Sequence, residues 1–262
     1  MGRSNICKKE ANLDRVTILS LGFLFLFIAF NSAANISGQA LKNNGFEGLG
    51  FYTMATLYLV FAFCSFFSSF LVNKLGAKAS LFLGGFCYSF WILCFLPPAF
   101  YPDHKDSPSF IFNRTFIEVL SLFSAAVNGF GAGVLWVAQG KYVGECANDT
   151  NKGFFFGYFW AFFMASQVLG NLIAALILGP LSQSTYYIVM TIAAFSGTSV
   201  FLFLRKPLKS SNEINLSGNS EIKLDKSDEG RAVVDTDSLI KQEVLQRSEK
   251  EASFSKDVKE TF

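Results

Sequence analysis

The sequence predicts an all-α polytopic membrane protein with six transmembrane helices. Charged residues are absent from five long stretches between residues 16 and 204, and the last stretch is about twice as long as each of the others. Hydrophobic residues make up 51% of the chain. A helix needs about 20 apolar residues to cross about 30 Å of hydrocarbon, so the stretches indicate membrane spans.

The five uncharged stretches divide into six predicted helices. Each of the first four has the length of one crossing, whereas the fifth, 153–204, contains 52 residues and includes the pair Gly179-Pro180. Gly-Pro is a turn signal, so this stretch is predicted to cross twice. The predicted helices cover residues 16–41, 49–72, 79–100, 116–140, 153–178 and 185–204.

The segment 205–262 has a different composition. It holds 11 of the 22 Lys and Arg residues and 12 of the 20 Asp and Glu residues, and it has no aromatic residue before Phe254. Such a segment buries too little apolar surface to offset the entropy lost on ordering. We therefore predict a disordered cytosolic tail.

The basic residues predict the orientation of the chain. The amino-terminal segment 1–15, the second and fourth loops and the start of the tail together hold 11 Lys and Arg residues, whereas the opposite loops hold three. Basic loops stay in the cytosol, so both termini are predicted to be cytosolic. The sequon Asn113-Arg114-Thr115 then lies outside, and Asn113 is the predicted glycosylation site.

Residues suited to catalysis are scarce in the predicted spans. The only histidine, His104, falls in an outer loop, and no Asp, Glu, His or Lys lies deep in a predicted helix. Intramembrane catalysis and proton relays use such residues. We therefore predict no enzymatic activity, no cofactor and no metal site. The predicted partners include the lipid bilayer and exclude nucleic acid.

Uncharged polar and tryptophan side chains mark the first, fourth and fifth predicted helices. An amide in hydrocarbon costs free energy unless it finds a partner or water, so these positions are predicted to avoid lipid. Two interpretations stay open: a shared polar cavity, or hydrogen bonding between helices worth about 1 kcal/mol per contact. The residues are Asn31, Asn35, Gln39, Asn128, Trp136, Gln139, Trp160, Gln167 and Asn171.

Phenylalanine is unusually abundant, with 32 residues. Most lie in the predicted helices, where a large apolar ring suits a surface in contact with lipid tails. We expect lipid contact and predict no aromatic binding site.

The second loop resembles a signature of the major facilitator superfamily. That signature reads approximately G-x-L-x-D-R-x-G-R-K, and the aligned stretch here is SFLVNKLGAK at 69–78. Lys74, Gly76 and Lys78 match the pattern, whereas Ser69 replaces the first glycine and Asn73 the acidic residue. With six helices and cytosolic termini, the chain resembles the amino-terminal half of that superfamily.

Two longer segments are similar to the uncoordinated-93-like branch of the superfamily. They are GVLWVAQG at 133–140 and FWAFFMASQVLGNL at 159–172, and the likeness extends over about 16–208. Members of this branch typically have twelve helices, so the resemblance implies that the tail corresponds to the linker between two halves. It also implies a non-enzymatic protein that regulates channels or assists the trafficking of receptors.

Three function classes follow from this resemblance. The favoured one is a regulator or trafficking partner, which would bind another integral membrane protein or a second six-helix half. The alternative is a carrier for an uncharged or weakly charged solute, incomplete here because such carriers bind substrate between two halves. The third is a truncated product that needs dimerisation for stability.

Overall fold

The computed structural model describes residues 3–148, 150–178, 180 and 182–208, with side chains from residue 12 onward. In this part of the chain, six helices are long and apolar enough to cross a membrane, and the all-α polytopic fold is confirmed. Residues 209–262 of the predicted tail lie outside the described part of the chain. The helices are α1 (Arg3–Asn43), α2 (Leu49–Leu75), α3 (Ala77–Leu93), α4 (Leu96–Phe100), α5 (Arg114–Cys146), α6 (Lys152–Leu178) and α7 (Gln183–Val200).

The third span is broken into two helices near its carboxyl-terminal end. α3 ends at Leu93, and the short α4 follows with proline in its first turn. Proline is tolerated there because the first N–H groups of a helix have no partner within the helix, but it cannot continue a helix already under way. Pro97 and Pro98 therefore explain why α3 is shorter than the stretch 79–100.

The helices pack in the spatial order α2, α5, α3, α7, α1, α6. The first three spans correspond to the last three in this order: α1 to α5, α2 to α6 and α3 to α7. Exchanging the members of each pair gives the same order read from the other end. Three crossings reverse the direction of the chain, so the two groups are inverted repeats of each other. α3 and α7 lie in the middle of this order, α5 and α1 lie next to them, and α2 and α6 form the edges.

Glycines allow the central helices to approach their neighbours closely. A Cβ atom on Gly197 of α7 would lie 2.5 Å from the backbone nitrogen of Leu26 in α1. At the corresponding contact, a Cβ atom on Gly84 of α3 would lie 2.8 Å from the carbonyl oxygen of Gly131 in α5. Small residues permit such contacts in membranes, where packing rather than the hydrophobic effect drives helix association.

Polar contacts hold the end of the bundle near α4. The Asn44 side chain donates to the Pro98 carbonyl at 2.8 Å and to the Gln183 side-chain oxygen at 3.2 Å. Ser184 donates to the Ala99 carbonyl at 3.0 Å. These bonds join the end of α1, the break in the third span and the start of α7. We call the other end, which carries Arg15, Lys74, Lys141, Lys152 and Arg205, the basic end.

The predicted glycosylation site caps α5. The side-chain oxygen of Asn113 accepts a hydrogen bond from the Phe116 N–H at 3.3 Å, and Asn113 is exposed. An N-linked sugar attaches to the side-chain nitrogen of asparagine. Because the cap uses the side-chain oxygen of Asn113, the nitrogen stays available for glycosylation.

We expect Asn113→Gln to remove one glycan and to lower the free energy of unfolding by about 1 kcal/mol through loss of the cap. A gel-mobility shift after glycosidase treatment measures the glycan, and thermal unfolding in micelles measures the cap. Thr115→Ala is the matched control, since it destroys the sequon and keeps the capping side chain. A glycan that persists in Thr115→Ala would contradict the assignment.

Candidate functional site

One side of the bundle exposes polar side chains at membrane depth. We call it the open face and define it by the exposed side chains of α1 and α6, namely Asn35, Gln39, Trp160, Gln167 and Asn171. α6 is an edge helix. Only 22% of the residues in its apolar segment are buried, compared with 61% in that of α1. The open face therefore lies where α1 meets the edge helix α6.

Hydrogen bonds join α1 to α6 on this face. The Asn35 side-chain nitrogen donates to the Asn171 side-chain oxygen at 2.9 Å. One turn away, the Asn31 side chain donates to the Ser166 hydroxyl at 3.3 Å. The structure thus brings three of the predicted polar residues together. Ser166 was missed in the sequence because a serine in a helix commonly bonds to its own backbone, as it also does here to Phe163.

Two other predicted amides of α1 and α6 stay apart from this pair. Gln39 donates to Asn43 at 2.7 Å within its own helix. Gln167 is exposed on α6 and makes no contact with α1 among the hydrogen bonds of the described residues. Both add uncharged hydrogen-bonding groups to the open face without joining helices.

Asn128 lies inside the bundle rather than on the open face. It is fully buried, and neither atom of its amide has a hydrogen-bond partner among the described residues. Its helical neighbours Ser124 and Gly131 contact Cys94, which caps the end of α3, and Cys87 within α3, so Asn128 belongs to the side of α5 that faces α3. Gln139 is also buried, and its side-chain nitrogen has no partner in the described part of the chain.

The tryptophans belong to an aromatic cluster at the centre of the bundle. The rings of Trp136 and Trp160 stack with centroids 5.9 Å apart. Phe27 of α1 lies 5.4 Å from Trp136, and Phe163 of α6 lies 5.1 Å from it. Trp160 is 41% exposed, so the cluster reaches the open face.

The expectation that phenylalanine faces lipid holds for only part of the chain. α2 exposes five of them: Phe51, Phe63, Phe66, Phe67 and Phe70. Another set is buried inside the protein and consists of Phe23, Phe27, Phe46, Phe95, Phe155, Phe159, Phe163 and Phe201. Composition could not separate the two sets, since an apolar ring is equally acceptable in lipid and in a packed interior.

The arrangement offers neutral hydrogen bonds and aromatic surfaces but no charge at membrane depth. The described residues contain no group of three His, Cys, Asp or Glu that could hold a metal ion. The ion pairs Asp14–Arg15, Arg114–Glu118 and Lys141–Glu145 all lie just outside the uncharged stretches of the spans. This site suits association with an uncharged polar group.

Comparison with known proteins assigns the family. The model of the Major Facilitator Superfamily matches residues 17–247. The chain belongs to this superfamily. Its relatives include UNC93-like protein MFSD11 of Xenopus tropicalis, 28% identical over 76% of this chain and 43% of the relative. UNC93-like protein 3 of Arabidopsis thaliana is 32% identical over 73% of this chain and 40% of the relative.

A third relative has a name that mentions function. It is the putative potassium channel regulatory protein unc-93 of Caenorhabditis elegans, 30% identical over 67% of this chain and 23% of the relative. These relatives confirm the resemblance to the uncoordinated-93-like branch of the superfamily. The chain spans less than half the length of each of them.

The superfamily signature lies at the turn between α2 and α3. Gly76 has φ of +82°, a conformation that glycine adopts without strain, which explains the glycine of the motif. Asn73, at the acidic position, accepts a hydrogen bond from the Lys141 ammonium of α5 at 2.7 Å. Lys141 also lies 4.0 Å from Glu145. An amide thus links this turn to the fourth span. Ser69, Lys74 and Lys78 are exposed.

Proposed function

We propose that this protein is a non-enzymatic regulator that associates side by side with another integral membrane protein, of the channel or receptor type, or with a second six-helix unit. The name of the C. elegans relative supports a channel as the regulated partner. The scarcity of catalytic residue types in the spans supports a role without enzymatic chemistry.

The Asn35–Asn171 pair is the observation that carries the proposal. Its hydrogen bond uses one hydrogen of the Asn35 nitrogen and the oxygen of Asn171, which leaves the Asn35 oxygen and the hydrogens of the Asn171 nitrogen for an outside group. Lipid tails supply no donor or acceptor. A polar side chain on a neighbouring transmembrane helix supplies both, at about 1 kcal/mol per contact.

The position of the charges favours this role over transport driven by ions. Coupled carriers keep ionisable side chains inside the membrane despite their cost. In the described part of this chain, ionisable side chains lie towards the ends of the spans, as those of Arg114 and Glu118 do at the start of α5.

The orientation is part of the proposal. The basic end, with Lys74 and Lys78 at one turn and Lys141 and Lys152 near another, faces the cytosol by the rule that basic loops are retained there. Both chain termini then lie in the cytosol. The open face runs along the sides of α1 and α6, so it meets the neighbours of the protein within the membrane plane.

The test is to co-express the protein with a panel of potassium channels in oocytes and to record currents. We expect the wild type to change the current of at least one channel, and the double variant Asn35→Leu with Asn171→Leu to lose most of that change. Ile192→Ala is the control, because Ile192 is 63% exposed on α7 and lies outside the open face.

Two outcomes would overturn the proposal. One is a panel of currents that is the same with and without the protein at equal surface expression. The other is uptake of an uncharged solute by vesicles containing the purified protein, abolished by the same double variant, which would establish the carrier function instead.

A further inference from the structure

The chain leaves the sixth span along a path fixed by side chains of two other spans. After a last helical turn at Phe201–Phe203, residues 204–208 have no regular secondary structure. Lys206 precedes Pro207, and a residue before proline favours an extended backbone. An extended backbone presents its carbonyl groups sideways, where side chains of neighbouring helices can reach them. We call residues 205–208 the strap.

Three side chains bind the strap at the basic end. Tyr142 of α5 donates to the Arg205 carbonyl at 2.7 Å. Arg15 of α1 donates to the Lys206 carbonyl at 2.9 Å, and the Arg15 side chain is only 11% exposed. The carbonyl groups of Arg205 and Lys206 are therefore held by two different helices, α5 and α1.

Asn12 joins all three elements. Its side-chain oxygen accepts from the Leu208 N–H at 3.1 Å, and its nitrogen lies 3.3 Å from the Leu208 carbonyl. The same nitrogen donates to the Cys146 carbonyl, in the last turn of α5, at 2.9 Å. One amide on α1 thus binds both the end of α5 and the end of the strap.

We infer that the strap is a coupling device that ties the two inverted groups of three spans together at the basic end. α1 belongs to the first group and α5 to the second, so their ends separate fully only when the strap is released. Because the strap continues directly into the following chain, a partner that binds or pulls that chain acts on the ends of α1 and α5. The inference rests on the hydrogen bonds between side chains of α1 and α5 and the backbone of the strap, and it is independent of the proposed regulatory function.

The first test is limited trypsin digestion of the full chain in lipid nanodiscs, with cleavage measured between Arg205 and Lys206. We expect Asn12→Ala to accelerate this cleavage about tenfold and Tyr142→Phe about threefold, since local opening limits cleavage and fewer hydrogen bonds oppose it. Gln39→Ala is the control, because it removes a side-chain hydrogen bond at the opposite end and should leave the rate unchanged.

Cleavage after Lys74, also at the basic end, is the internal reference in each digest. Tyr142→Phe decides the result if Asn12→Ala disturbs the whole bundle, because it deletes one hydroxyl and keeps the ring. Faster cleavage at Arg205 with an unchanged rate at Lys74 supports the strap. A Tyr142→Phe rate equal to that of the wild type at Arg205 overturns it.

The second test measures coupling rather than local order. Spin labels on cysteines introduced at Asp14 and Gly144 report the distance between the basic ends of α1 and α5, and nothing lies within 4 Å of the Cβ position of Gly144. We expect Tyr142→Phe and Asn12→Ala to broaden the distance distribution. A distribution unchanged in both variants would show that the strap is only a local contact and would overturn the coupling role.

Discussion

Replacing Gly129 with alanine should lower the free energy of unfolding by about 2 kcal/mol, because overpacking a tight contact typically costs about 1–3 kcal/mol. A Cβ atom at this position of α5 would collide with the carbonyl oxygen of Leu57 in α2 and lie 2.9 Å from the Cβ of Val60. The first obstacle is backbone, so no rotation of a side chain relieves it. The helices must move apart, and the contact that holds the edge helix α2 is weakened.

Gly140→Ala is the matched control, since Gly140 lies on the same helix with nothing within 4 Å of its Cβ position. We expect no loss of stability there and a gain of about 0.5–1 kcal/mol, because alanine loses less entropy than glycine in a helix. Denaturant titration in detergent micelles measures both variants. Equal stabilities for Gly129→Ala and Gly140→Ala would mean that α2 and α5 do not touch at this point.

Phe27→Ala should cost about 3 kcal/mol, in the range measured when a large ring is removed from a packed interior. Phe27 is 2% exposed, and its ring lies 5.5 Å or less from those of Phe23, Tyr88, Trp136 and Phe163. Removing it leaves a cavity between α1, α3, α5 and α6. The lost dispersion contacts have no replacement, because lipid tails cannot enter the centre of the bundle.

The same substitution at Phe66 of α2 is the control, because Phe66 is 82% exposed. Lipid fills the space left by its ring, so we expect less than about 0.5 kcal/mol of change, as is usual for surface positions. Thermal unfolding in nanodiscs measures the pair. A loss at Phe66 as large as that at Phe27 would show that the exposed side of α2 is covered by protein in the native assembly.

The six spans were predictable because hydrocarbon excludes charge over a fixed thickness. This constraint is local in the sequence and does not depend on which helices are neighbours. The break between α3 and α4 also has a local cause in Pro97 and Pro98, and the turn at Gly76 requires a residue that tolerates positive φ. Features of this kind depend only on single residues and their immediate neighbours in the sequence, so they can be predicted from it.

The candidate site was predictable only in part. The spacing of Asn31 and Asn35 along one side of α1 predicted a polar face, but that spacing does not indicate which helix packs against this face. The partners Ser166 and Asn171 follow from the packing of α1 against α6. Asn128 has the same residue type and similar depth, yet it lies inside the bundle against α3.

The strap illustrates the limit of sequence reasoning most clearly. Asn12 and Leu208 are 196 positions apart, and neither belongs to a recognisable motif. Their hydrogen bond exists because the packing of α1, α5 and α7 brings the ends of three spans to one place. A polar residue at the end of a membrane span is ordinarily hydrogen-bonded to water, so the residue type of Asn12 gave no sign of a partner.

By itself, the sequence indicated six stretches between residues 16 and 204 that are apolar enough to cross a membrane, charges at the ends of these stretches, and a resemblance to the uncoordinated-93-like branch of the major facilitator superfamily. Each of these follows from the cost of placing charge in hydrocarbon or from the identity of short segments. Only the tertiary structure decided the spatial order of the helices, the burial of Phe27 but not Phe66, and the pairing of Asn35 with Asn171. These depend on contacts between distant parts of the chain, where close packing of glycines and rings selects one arrangement among many with the same pattern of hydropathy.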